Sequence, residues 1–330
     1  MVFQNNKKTH LIGLISAIGS VLLGCQTSST KSLHTMSTTC DTLSGACALP
    51  TSIEIQDTSI TVPTITIDYF TDPICSSCWG FEPQLRRLKM EYGHDIAIRY
   101  FMGGLLPDWS YNSGGISKPS DVYGHWREVA AYYEMPIDGS VWLNDPLHSS
   151  YPPSIAFKAA QMQDQHRAML FLRRIREMVF IENKNIAQWP VLAAAAQEVG
   201  LDTAQLHVAF SGEARSAFES DLLLTRKSGV RGFPTLIIRF PEGRNEVIYG
   251  SKPYVSIEKA LMTGSAEIKA HSYDKSLSHL FTIYPTWTAK EVSIALGVSF
   301  DQAEVQLQEF AKLGLVKETK IVTGSIWRKV

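Results

Sequence analysis

The chain has 330 residues, of which 45% are apolar and 19% charged, a composition that fits two or three compact units with a sizeable core. Its 31 Lys and Arg against 32 Asp and Glu leave a net charge of −1, which excludes the basic balance expected of a nucleic-acid or anionic-membrane binder. Five cysteines, Cys25, Cys40, Cys47, Cys75 and Cys78, are too few for a disulfide-built scaffold and fall into three separate settings.

At the N-terminus, Lys7 and Lys8 precede an apolar run from Leu11 to Gly24, followed by Cys25 and a polar stretch. A basic zone and a short apolar zone in this order read as a secretory signal, and the run is short for a membrane span. Leu22-Leu23-Gly24-Cys25 resembles the bacterial lipobox. That resemblance implies lipidation of Cys25 and a lipid-anchored place in the cell envelope, with the anchor as the sole membrane contact. Translation from Met36 is the alternative and implies a cytoplasmic protein. Residues 1–25 are thus a signal segment, and the Ser/Thr-rich residues 26–62 a tether. Within the tether, Cys40 and Cys47 leave three readings open: a small surface disulfide, part of a four-thiolate zinc site with the later pair, or two exposed thiols.

Order begins at Thr64–Phe70, where β-branched and aromatic residues are dense enough for a strand. A helix from Cys75 to Tyr92 and a strand from Ile96 to Met102 follow, so strand, helix and strand suggest a right-handed parallel crossover. A block of about 105–228 is mostly helical. Pro234–Phe240 and Glu246–Tyr249 then read as a hairpin, and Val255–Met262 as a closing helix. After a break at Gly264–Ser272, residues 272–330 read as a small winged-helix-like unit with helices over Thr288–Leu296 and Phe300–Leu313 and two final strands. Its second helix carries Asp301, Glu304 and Glu309 against Lys312, the wrong balance for phosphates, so no nucleic-acid partner is expected. Trp287 and Trp327 read as anchors of a small core. Glu182, Lys184 and the run Arg173-Arg174-Ile175-Arg176 read as solvated surface.

The chemistry concentrates at Cys75-Ser76-Ser77-Cys78, directly after a strand and at the start of a helix. Amides there lack intrahelical partners and favour an anion, so a thiolate is stabilised. The spacing puts Cys78 one turn from Cys75 on the same face. Cys75 is expected to be exposed and attacking, and Cys78 buried and resolving. Trp79 is expected to cover the dithiol as a substrate-contacting surface, Gly80 to allow close approach, and Pro83 to kink the helix. A zinc knuckle and an inert thiol pair are the competing readings. Far along the chain, Gly232-Phe233-Pro234-Thr235 leads into a strand. Pro234 there is either simple strand punctuation or a cis-proline facing the dithiol, with Phe233 offering its backbone to an extended substrate. No metal-ligand spacing, phosphate loop or nucleophile elbow is present, and no cofactor or metal is expected.

The segment from Phe70 to Pro83, together with Gly-Phe-Pro-Thr at 232–235, Asp145–Ser150 and the Ala156–Ala160 helix, resembles the DsbA family, with closer likeness to its FrnE-like members and to the YjbH/SpxH branch known as ClpXP adapters. The resemblance spans about residues 64–263 and, more weakly, the C-terminal unit, within a domain read as residues 63–264. It implies an α/β thioredoxin fold with an all-helical insertion. It also implies a thiol–disulfide oxidoreductase acting on protein thiols and disulfides through Cys75 and Cys78, with a redox partner protein. The adapter branch implies the alternative, a non-catalytic module that binds a partner for a protease. Ser77 stands where the family often has a histidine, which implies a weaker oxidant.

Overall fold

A computed structural model describes residues 65–110, 116–264 and 268–330. The leader with Cys25, the tether with Cys40 and Cys47, and Met36 lie outside the described residues.

The apolar, β-branched run forms β1 (Ile65–Thr71), and the Asp72-Pro73 turn delivers the chain into α1 (Ser76–Tyr92) and then β2 (Ile96–Met102). Seven helices follow: α2 (Pro119–Tyr133), α3 (Val141–Asn144), α4 (Tyr151–Gln163), α5 (Gln165–Phe180), α6 (Trp189–Glu198), α7 (Thr203–Ser211) and α8 (Glu213–Lys227). Asp164 and Asp202 cap α5 and α7 by accepting hydrogen bonds from first-turn amides. The frame resumes with β3 (Thr235–Arg239), β4 (Asn245–Tyr249) and α9 (Tyr254–Met262).

The sheet order is β2-β1-β3-β4, with β1 and β2 parallel and the remaining pairs antiparallel. This is the thioredoxin-like α/β frame with a helical insertion that the sequence leads one to expect. β1 is central, and its side chains are buried almost throughout. Its C-terminal end therefore opens onto α1 and the loop before β3, as is usual for a site at strand ends in α/β sheets.

The C-terminal elements are α10 (Leu277–Ile283), β5 (Thr286–Thr288), α11 (Ala289–Leu296), α12 (Phe300–Lys312), β6 (Val316–Ile321) and β7 (Gly324–Lys329). β5, three residues long and without a readable pattern of its own, joins the last two strands in the order β5-β7-β6. Leu280, Trp287, Val292, Leu307 and Trp327 are buried in a core of their own. Capping boxes at Thr288/Glu291 and Ser299/Gln302 start α11 and α12.

This unit is tied to the frame through polar contacts. Arg86 of α1 donates to the Thr286 carbonyl at 2.6 Å, the Ile137 amide donates to the Thr323 hydroxyl at 2.9 Å, and the His271 amide donates to the Glu91 carbonyl at 2.8 Å. The arginine run expected on a solvated face is instead buried. Arg173 and Arg86 converge on Glu291, Arg174 on Glu182 and Glu198, and Arg176 on Glu82. The correction has a simple cause: α5 runs through the interior, and each guanidinium there meets a carboxylate from elsewhere in the chain. Among the described residues no helix is long and apolar enough to cross a membrane.

Candidate dithiol site and its groove

Cys75 is the N-cap of α1, with extended backbone, and its sulfur accepts the Cys78 amide at 3.2 Å. One of the orphan donors of the helix start thus points at sulfur. The Phe233–Pro234 peptide bond is cis. The Cys75 thiol donates to the Phe233 carbonyl across 3.7 Å, so the dithiol and the bend before β3 face one another although 158 residues separate them in sequence. The far edge of the Phe233 ring reaches Gly103 just after β2, where a Cβ would come within 1.9 Å of it. The bulk of Phe233 therefore requires glycine at that position.

Two expectations need correction. Cys75 is only 5% exposed, and Cys78 is fully buried. Burial, and then the neighbouring Cys78, push the Cys75 thiol well above its ordinary value. Burial acts the same way on Cys78, but the hydrogen bond from Cys75, the Arg176 charge and Thr71 more than offset it, so Cys78 lies below its ordinary value. The helix-start amide is present as expected, yet desolvation outweighs it at Cys75. The second correction concerns Trp79. It is fully buried, stacks on Phe180 with centroids 5.4 Å apart, and gives its indole N–H to the Pro136 carbonyl at 3.0 Å. Trp79 is a core residue because its position in the first turn of α1 points under the helical insertion. Gly80 does permit a close approach, that of the Tyr133 ring.

Behind the sulfurs lies a buried polar chain not evident in the sequence. Arg176 pairs with Glu82 and donates to the Thr71 hydroxyl at 2.6 Å and the Asp72 carbonyl at 3.3 Å. Glu82 lies below the usual carboxylate range: burial would raise it, but Arg176 and the other nearby cations outweigh that. Asp72 accepts from the Ile74 amide (3.0 Å), the Leu105 amide (2.7 Å) and the Ser150 hydroxyl (2.8 Å). The aspartate after a strand was a readable turn signal, but its partners come from two distant loops.

Burial raises Asp72 to about 6 despite these bonds. The folded value lies above the unfolded one, so the stabilisation is complete below pH ~4 and is lost as pH rises through ~6, about 3 kcal/mol in all. Urea titrations should show the native chain losing this much relative to the non-titrating Asp72→Asn chain between pH 4 and 7. A pH-independent difference would show that the carboxyl is not perturbed.

Beside Cys75 a groove of about 330 Å³ opens between the α1 start, the Phe233 loop and the insertion, where Trp109, Trp126 and Trp142 form one wall. Cys75, Cys78, Phe233 and Pro234 are thus brought together, and Trp79 is not among them. Among the described residues no group of three His, Cys, Asp or Glu side chains is placed to hold a metal.

Comparison with known proteins places this geometry. A family model described as thioredoxin matches residues 69–259. The ClpXP adapter protein SpxH of Halalkalibacterium halodurans is 31% identical over 305 residues, which cover 89% of this chain and 98% of that protein. The ClpXP adapter protein SpxH of Bacillus subtilis is 27% identical over 274 residues, 81% of this chain and 89% of that protein. Among solved structures, the cytosolic disulfide reductase DsbM of Pseudomonas aeruginosa superposes with a TM-score of 0.50 at 25% identity, covering 60% of this chain and 99% of that one. The frame, the insertion and the match along nearly the whole of SpxH lead to one assignment: the chain belongs to the thioredoxin family, together with the SpxH proteins.

Proposed function

We propose that this protein is an adapter of the SpxH type, which binds a partner protein and presents it to a ClpXP-type protease. The observation that carries this reading is the contrast at the site: a nearly closed dithiol with a poorly ionised Cys75, beside an open groove. Such a site is better suited to holding a segment than to attacking one, since the thiolate is the nucleophile. The similarity to SpxH supports it across both the frame and the C-terminal residues. In this reading the winged-helix-like unit supplies a docking surface, the protein starts at Met36, and it is cytoplasmic. An intact mass carrying a lipid on Cys25 would instead place it in the envelope and remove the adapter reading. The direct test is capture of ClpXP and its substrate with the Cys75→Ser/Cys78→Ser chain. Capture is expected to persist at wild-type level, and its loss would count against an adapter role independent of the thiols.

A second reading, thiol–disulfide exchange, is favoured by one specific observation, the 3.7 Å approach of the Cys75 sulfur to the carbonyl beside the cis-proline. In that chemistry the Cys75 thiolate attacks a partner disulfide, forms a mixed disulfide and releases one partner thiolate. Cys78 then attacks the Cys75 sulfur and releases the second, leaving the partner reduced and Cys75–Cys78 oxidised. Cys78→Ala should accumulate reductant-sensitive adducts at Cys75. Their absence, with Cys75 refractory to alkylation in the folded chain, would remove this reading.

A further inference from the structure

The groove beside Cys75 has features that thiol chemistry does not use. Trp142 lines it and is 2% exposed, yet its indole N–H has no hydrogen-bond partner among the described residues. The adjacent Trp109, by contrast, donates to the Leu147 carbonyl at 2.9 Å. Trp142 meets Trp109 edge-on at 6.0 Å and Trp126 edge-on at 5.3 Å, so three indoles form a continuous aromatic wall. On the loop leading to the cis-proline, Arg231 is exposed, lines the same groove and has no ion-pair partner among the described residues. Ser76 and Ser77 add hydroxyls on the helix side. Among the described residues no Asp or Glu lines the groove. Among the described residues, donors and one unpaired cation thus face an apolar wall, with no carboxylate opposite.

We infer that this groove binds an extended acidic segment of the partner protein, with a large apolar side chain against the three indoles and a neighbouring carboxylate at Arg231. The inference rests on the adapter reading and names the chemistry of its partner. An aromatic side chain gains contact area and edge-to-face geometry on the wall. A carboxylate gains a charge-assisted pair with a guanidinium that has no competing partner. An acceptor entering beside Trp142 gives its buried N–H the bond it lacks. A basic segment gains none of the polar contacts and is repelled by Arg231.

The test uses the full chain and three fluorescein-labelled peptides, Gly-Ser-Glu-Phe-Glu-Ser-Gly and its counterparts with Gln or Lys in place of both Glu residues, followed by anisotropy. The Glu peptide is expected to bind about tenfold tighter than the Gln peptide, as a charge-assisted bond requires, and the Lys peptide to bind weakest. Arg231→Glu, at an exposed position, should reverse the order of the Glu and Lys peptides. Trp142→Phe keeps a ring but removes the donor and should weaken the Glu peptide about fivefold, the worth of one hydrogen bond. Equal affinity for the three peptides, or an order unchanged by Arg231→Glu, would overturn the inference. ClpXP capture is measured on the same proteins. Capture without peptide discrimination sinks the groove inference alone, and discrimination without capture sinks the adapter reading alone.

Discussion

Glu291→Ala should lower folding stability by about 3–5 kcal/mol, the range for removing one partner of a buried ion pair. Glu291 is fully buried, and both its oxygens receive Arg173, at 2.7 and 3.1 Å. Arg86 approaches one of the same oxygens at 3.3 Å. Without the carboxylate, two guanidiniums remain buried beside each other, each already costly to desolvate. Glu291 also accepts the Thr288 amide at 2.8 Å, closing the capping box of α11, so alanine removes a helix cap as well. Glu291→Gln separates the two effects, since glutamine still completes a capping box but carries no charge. It should be nearly as destabilising as alanine if the ion pairs dominate. The measurement is the guanidinium midpoint with an unchanged slope. Because Glu291 joins the C-terminal unit to α1 and α5, the loss should also appear as faster proteolytic cleavage within the C-terminal unit. A loss below 1 kcal/mol, or cleavage rates like the parent, would show that these charges do not hold the unit in place.

Arg176→Leu should have an effect of similar size, about 3–5 kcal/mol, with a second and independent readout at the dithiol. Arg176 is fully buried between Glu82, the Thr71 hydroxyl and the Asp72 carbonyl. Its removal leaves Glu82 without its principal counter-charge and Cys78 without the nearest cation. The Cys78 thiol should therefore rise towards or above its ordinary value, and thiolate absorbance should appear at higher pH than in the parent. The compensated chain Glu82→Leu/Arg176→Leu, which removes both charges together, should recover much of the stability but none of the thiol shift. Recovery of both would mean that packing rather than charge sets the Cys78 environment. An unchanged thiolate titration in Arg176→Leu would mean that hydrogen bonds from Cys75 and Thr71 suffice.

The frame was readable because its signals are local. β1, α1 and β2 are written in periodicity and in the Asp72-Pro73 turn, and the cysteine spacing is visible at the helix start that gives it meaning. The Phe233–Pro234 segment could be singled out by its place before a strand, although only the folded chain sets it opposite Cys75. What the periodicity of α5 could not reveal is that Arg173 and Arg176 are buried. Their partners Glu291 and Glu82 lie 118 and 94 residues away, and an arginine with a distant carboxylate looks the same in sequence as one in water. Trp79 failed for the same reason: a tryptophan after a dithiol has no direction until the insertion packs over it. β5 is too short to carry a pattern and exists only because β7 pairs with it.

By itself, the amino-acid sequence determined the main frame elements, their order, the thiol pair and the proline segment before β3 as a candidate, since each depends on backbone propensity and burial pattern within a few residues. Only the tertiary structure decided which charges are buried, how far each thiol is desolvated and where the groove opens, because desolvation and pairing depend on what distant segments bring within a few ångströms. Cys75 illustrates the division: its helix-start amide was legible in the sequence, and the burial that outweighs that amide was not.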